Sequence, residues 1–301
     1  MNVIHEKEPI AQLSRRLRKE QRLLTFLRLR SNHALLIGSI ILAILIILGI
    51  VGPLLTPYDP FAMKVVDRLK PPSATHWFGT DEFGRDLLTR VLYGARVSIS
   101  IGLVVTLLSS VLGLIIGIYA SFYRTLDHIL MRICDGLIAF PGILLAIALM
   151  ATLGASVLNV IIALTVVFTP NIARIIRSTA LIVREQTYIE AMHAQGASHS
   201  RILWRHVVPN TLSPLLIQAA FVFAEAILSE AALSFLGAGI PAPEPSWGNI
   251  LQASKPVISK AWWMVAFPGS ALILSVLSLN LLGDGLRDHL DPRAKRKQKK
   301  A

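Results

Sequence analysis

Charge is scarce in this chain. Asp, Glu, Lys and Arg make up 16% of its 301 residues, against about 25% in ordinary soluble domains. Acid is scarcer than base, 18 residues against 30, for a formal net charge of +12. The one cysteine, Cys134, excludes an intrachain disulfide and offers no metal-ligand pattern. No Gly-Lys dipeptide occurs, so the lysine loop that cradles nucleotide phosphates is absent. A short apolar leader with a small-residue cleavage site is also lacking. The first apolar run, Ala34–Leu55, follows a basic tail and has 22 residues. As a helix it rises about 33 Å, enough to cross a bilayer, whereas a signal core has about 7–15 residues. It reads as a retained span.

What the chain does hold is apolar residues, 53% of the total, gathered into runs. Mean hydropathy is +0.60. Runs of this length mark an all-α integral membrane protein. Six spans are expected, at 34–55, 97–120, 135–154, 158–175, 211–237 and 262–284. With 97–285 read as a five-helix core, the remaining regions are a basic tail (1–33), an outer loop (56–96) and a second basic tail (286–301). Lys and Arg number 22 in the regions that six spans place with the termini and 8 on the other side. The positive-inside rule then sets both termini in the cytoplasm. The net charge is thereby read as membrane orientation and anionic-lipid contact, not nucleic-acid binding.

Three local patterns refine this frame. Leu87, Leu88, Val91 and Leu92 share one helical face, with Arg85, Asp86 and Arg90 elsewhere and Asp86 and Arg90 at the favourable i,i+4 spacing. This predicts a separate helix on the outer membrane surface or a packed lid. Ser109, Gly113 and Gly117 form a small-residue stripe suited to close helix approach. Pro141 and Pro170 fall inside the third and fourth runs and should bend them.

One segment between apolar runs cannot be a span. In "TYIEAMHAQGASHSRILWRHVVPN" (187–210), Thr187 and Glu190 fit a capping box. A short helix should end at Gly196, which takes a left-handed turn at no steric cost. Ser198 can cap a second helix, which Pro209 ends as it opens the fifth span. The prediction is a water-exposed helix–turn–helix over 187–208.

Glu190-Ala191-Met192, then Gly196 and Pro209, resemble the cytoplasmic EAA loop of ABC importer permeases. Met192 replaces the usual second alanine, and His206 stands where an apolar residue is common. Residues 76–96, 231–250 and 267–292 are similar to signatures of the dipeptide/oligopeptide permease family, C-type subunit. The resemblance implies a type I importer permease fold in a bacterial cytoplasmic membrane. It implies a second homologous permease, two cytoplasmic ATP-binding subunits and an extracytoplasmic solute-binding protein. This chain would bind no cofactor; ATP and Mg would be used by the partner ATPases. Glu190, Ala191, Gly196, Ala197, Arg201 and Pro209 would form the ATPase-docking element.

Glu225 and Glu230 lie inside the fifth run, where a carboxylate costs roughly 2.5–3.5 kcal/mol near the bilayer centre. Both are candidates to line the path, though five residues turn them about 140° apart. His193, His199 and His206 lack the spacing and companions of a zinc site. The substrate is expected to be a di- or oligopeptide, with glutathione or nickel and metal chelates as alternatives. An ion-coupled secondary transporter working through Glu225 and Glu230 is the rival of another class. An intramembrane enzyme would need facing catalytic pairs that the spans do not supply.

Overall fold

The computed structural model describes residues 32–290. The basic stretches Arg15–Arg30 and 293–300 lie outside the described residues. Six segments build a helical bundle. They are α1 (His33–Leu55), α2 (Leu87–Phe122), the pair α3 (Arg124–Ile138) and α4 (Gly142–Leu153), α5 (Val157–Arg184), α8 (Val208–Phe235) and α10 (Trp263–Leu290). Between α5 and α8 come α6 (Thr187–Ala194) and α7 (His199–Ile202), and α9 (Trp247–Ser254) precedes α10. Five helices are long and apolar enough to cross a membrane, and the bent α3–α4 pair raises the number to six only if both helices count as one span.

Helix starts are fixed by side-chain caps. Asn32 accepts from Leu35 N (3.1 Å), Asp86 from Thr89 N (2.8 Å) and Ser156 from Asn159 N (3.1 Å). Each cap satisfies an amide that has no partner within its own helix. The bundle packs closely where side chains are small. A Cβ on Gly113 would lie 2.6 Å from Ile172 Cγ2, and one on Gly117 2.5 Å from the Ala173 carbonyl oxygen. The stripe expected from Ser109, Gly113 and Gly117 is therefore the seam between α2 and α5. Without a hydrophobic driving force in lipid, such contact packing is what holds helices together.

The structure corrects several expectations. Leu87 opens α2 itself, so the separate surface helix is the first turns of the second span. Arg85, Asp86 and Arg90 are all buried, and Arg90 does not pair with Asp86. Asp81 instead receives Arg85 Nε at 2.6 Å and has Arg90 Nε at 3.6 Å, while Arg90 Nη1 donates to the Pro60 carbonyl at 2.9 Å. Burial makes pairing of these charges obligatory, and that is what folds residues 56–86 into a cap on the bundle. Trp263 Nε1 closes the cap by donating to the Thr80 carbonyl at 3.0 Å.

The third span is not one helix. α3 and α4 meet at 94° across Ala139–Pro141, because Pro141 cannot continue α3 and starts α4 instead. Pro170, by contrast, is absorbed within α5. Nor does Pro209 separate two helices. His199–Phe235 runs on as one 37-residue helix through a π-turn at Leu203–Val207. Pro209 lacks the N–H owed to the carbonyl four residues back and crowds it, and the wide turn just before it takes up the misfit. α9 was not expected from sequence; the prolines of that loop all precede or follow it, leaving room for two turns.

Candidate functional site

The polar segment 185–207 closes one end of the bundle, opposite the 56–86 cap. Its first helix starts one residue earlier than the capping-box reading requires. Gln186 holds the N-cap position without a side-chain bond, and Thr187 is already helical. Glu190 is thus not engaged in a cap, and its side chain is exposed. Ser198 stands at the N-cap of α7, as expected, but makes no side-chain cap bond.

The turn between the helices is tightly specified. Gly196 has φ +78°. Its N–H donates to the His193 carbonyl (3.0 Å) and the Ala197 N–H to the Met192 carbonyl (3.0 Å). These are the two bonds of a Schellman ending, which needs a left-handed residue at that position. A Cβ on Gly196 would meet nothing within 4 Å. Glycine is required there by backbone conformation alone, not by space.

The segment has two faces. Ile189, Ile202, Leu203 and Val207 are buried against the bundle core. Tyr188, Glu190, Ala191, Arg201, Trp204, Arg205 and Pro209 are exposed, while Ala197 is half-buried beneath the turn. Tyr188 and Trp204, at 42% and 48% exposure, were missed by sequence reasoning. Their signal was present: large aromatics of the kind that anchor interfaces, in a segment otherwise polar.

Both ends of the segment join spans closely. Only Glu185 and Gln186 separate α5 from α6, and α7 runs unbroken into α8. Arg184 reaches back to the Ser121 carbonyl and lies over the Phe122 ring at 4.6 Å, which fixes the end of α5 to the end of α2. His199 meets Phe122 edge-on at 6.3 Å and His193 at 5.5 Å. The third histidine, His206, is not part of this contact, and no cluster of three or more metal-ligating side chains occurs among the described residues.

The two glutamates of α8 separate as their spacing requires. Glu225 is exposed on the surface of the chain. Glu230 is fully buried and faces inward. Ser98 Oγ donates to one carboxylate oxygen at 2.8 Å and Ser234 Oγ to the other at 2.9 Å. Ser98 Oγ in turn accepts from Trp247 N (3.4 Å), and Ser234 Oγ from Ile240 N (3.1 Å). The carboxylate is therefore an internal clamp joining α2, α8 and the α9 loop.

Fold and site together define a multi-pass membrane protein with a polar helix–turn–helix joined at both ends to its spans. Residues 109–296 match the family described as the binding-protein-dependent transport system inner membrane component, and residues 22–72 match the N-terminal transmembrane domain of oligopeptide transport permease C. A Brucella abortus protein named for a peptide transport system permease is 52% identical over 272 residues, covering 90% of this chain and 92% of that one. The dipeptide transport system permease of Alkalihalophilus pseudofirmus is 44% identical over 271 residues (90% and 89%). The oligopeptide transport system permease of Bacillus subtilis is 39% identical over 272 residues (90% and 89%). The chain belongs to the family of binding-protein-dependent transport permeases. It is a transport subunit and not an enzyme, which removes the ground for an ion-coupled carrier or an intramembrane enzyme.

Proposed function

We propose that this chain forms, with a second homologous permease, the path by which di- and oligopeptides enter the cell. Two cytoplasmic ATP-binding subunits drive it, using ATP and Mg, and a solute-binding protein delivers substrate to the 56–86 side. Both termini and the 185–207 segment face the cytoplasm, in keeping with the 22 to 8 distribution of Lys and Arg.

One observation carries the reading: a polar, exposed element is joined to α5 by only two residues, Glu185 and Gln186, and to α8 by continuous helix. Links this short transmit force: movement of α6 by a soluble partner pulls on α5, and the hydrogen-bonded turn at Gly196 passes it through α7 to α8. Glu190, Ala191, Gly196, Ala197, Arg201 and Pro209 form this lever, and Tyr188 and Trp204 serve as its aromatic anchors.

α1 and α2 show aliphatic surfaces, such as Ile40, Ile44 and Ile47 on one and Leu103, Leu107 and Val111 on the other. α5 and α8 expose aliphatic side chains too, such as Ile162 and Leu216, but beside them stand the exposed Asn171 and Glu225 within the apolar runs. A carboxylate there needs water or a partner; in this reading Glu225 lines the path and meets the cationic amino group of a peptide. Glu230 acts as the internal clamp. Peptide transport in the relatives' names supports the substrate class. Reconstitution of the whole complex with a series of solutes tests it. Peptides should stimulate ATP hydrolysis and be taken up; uptake driven by an ion gradient without ATP would contradict it.

A further inference from the structure

The helix α3 is packed in an unusual way. Two arginines of α5 strap it down: Arg177 to Asp127, through Nε and Nη2, and Arg174 Nη2 to Asp135 at 2.7 Å. The aspartates are eight residues apart on α3 and the arginines three apart on α5. α3 is bent by 94° from α4. α4 in turn is joined to α5 by only residues 154–156 and packs along it, so α3 is turned away from the direction of that helix pair. Where α5 runs along the membrane normal, α3 lies close to the membrane plane. Its depth follows from α5 as well: Arg174 and Arg177 are about 25 and 30 Å of helix from Val157, near the far boundary of the apolar layer.

The residues of α3 sort around its axis to match. Asp127 and Cys134 face the bundle. Leu126, Ile129, Ile133 and, just past the helix end, Phe140 form an apolar stripe that the chain leaves uncovered, at 37%, 53%, 56% and 61% exposure. Arg124, His128 and Arg132 are exposed beside it, and neither arginine makes an ion pair among the described residues. An apolar face next to an unpaired basic face is the pattern of a helix in a membrane interface.

We propose that α3 is an in-plane helix whose apolar stripe enters the cytoplasmic leaflet and whose Arg124 and Arg132 bind anionic phospholipid headgroups. Through the two Arg–Asp straps, leaflet charge then biases the position of α5, the span that carries the lever. The orientation on which this rests is the one proposed above.

The test uses the full reconstituted complex in nanodiscs of neutral lipid with increasing phosphatidylglycerol. Spin labels at residues 126, 129 and 133 should be reached by oxygen but not by a water-soluble nickel relaxant. Labels at 128 and 132 should show the reverse. Substrate-stimulated ATPase should rise with phosphatidylglycerol, and the double variant Arg124→Gln/Arg132→Gln should need several-fold more of it for the same rate. Low accessibility to both relaxants at 129 and 133 would mean that the second permease covers the stripe, and nickel accessibility would mean water; either overturns the proposal. A wild-type rate indifferent to phosphatidylglycerol also overturns it. An impermeant thiol reagent that reaches a cysteine at 132 only from the extracytoplasmic side would sink the orientation itself, separately from the lipid contact.

Discussion

Replacing Gly196 separates backbone conformation from space, because this position has plenty of one and strict limits on the other. With φ at +78° and nothing within 4 Å of an added Cβ, no substitution there clashes with the bundle. The penalty is that of holding an L-residue in the left-handed region, about 1–2 kcal/mol for ordinary residues, more for a β-branched one and less for asparagine. Since 1.4 kcal/mol is about a factor of ten in an equilibrium, Gly196→Ala should lower the fraction of correctly turned levers by up to about tenfold where the turn is marginal. Gly196→Val should lower it further, and Gly196→Asn should come close to wild type although asparagine is larger than alanine. The assay is paired: peptide uptake and ATP hydrolysis by the reconstituted complex at matched protein abundance. Uptake should fall in the order Gly, Asn, Ala, Val, while hydrolysis persists without transport in the valine variant. An order that follows side-chain volume, or full uptake by Gly196→Val, would refute the reasoning.

Other residues give equally direct outcomes. Glu230→Leu leaves the Ser98 and Ser234 hydroxyls without their shared acceptor in a dry interior, an expected loss of about 1–3 kcal/mol or more; a thermal unfolding midpoint in detergent equal to wild type would contradict the clamp. Glu225→Gln should leave that midpoint unchanged while reducing peptide uptake, and unchanged uptake would remove Glu225 from the path. Gly117→Leu forces a side chain toward the Ala173 carbonyl, 2.5 Å from the Cβ position, and should part α2 from α5, visible as lost thermal stability; Gly136→Leu, with open space around it, should not.

The spans were legible because a bilayer demands long apolar runs, and nothing else in the chain satisfies that demand. Gly196 was legible for a similar reason: few residues accept its backbone angle. What the sequence hid was continuity. The run from His199 to Phe235 contains Pro209, an ordinary stop signal, yet a π-turn carries the helix past it. In the third run the bend at Pro141 was legible, but not its size, a 94° turn that makes two helices of one run. The buried Asp81–Arg85–Arg90 group was hidden too, since charged residues in an outer loop read as solvated until a cap closes over them. Glu225 and Glu230 illustrate the limit of spacing: their divergence followed from the helical period, but which one faces inward is set by Ser98, 132 residues from Glu230.

The central claim is that residues 185–207 lie in water and are gripped by a soluble motor. The chain's one native cysteine, Cys134, is buried, so a cysteine placed at Ala194, in the exposed part of α6, gives a nearly clean probe. Labelling of Ala194→Cys with a membrane-impermeant maleimide should be rapid in inside-out vesicles carrying the permease pair alone. It should slow sharply once the ATP-binding subunits assemble. A site that stays unlabelled in both preparations, or labels equally fast in both, would contradict the lever.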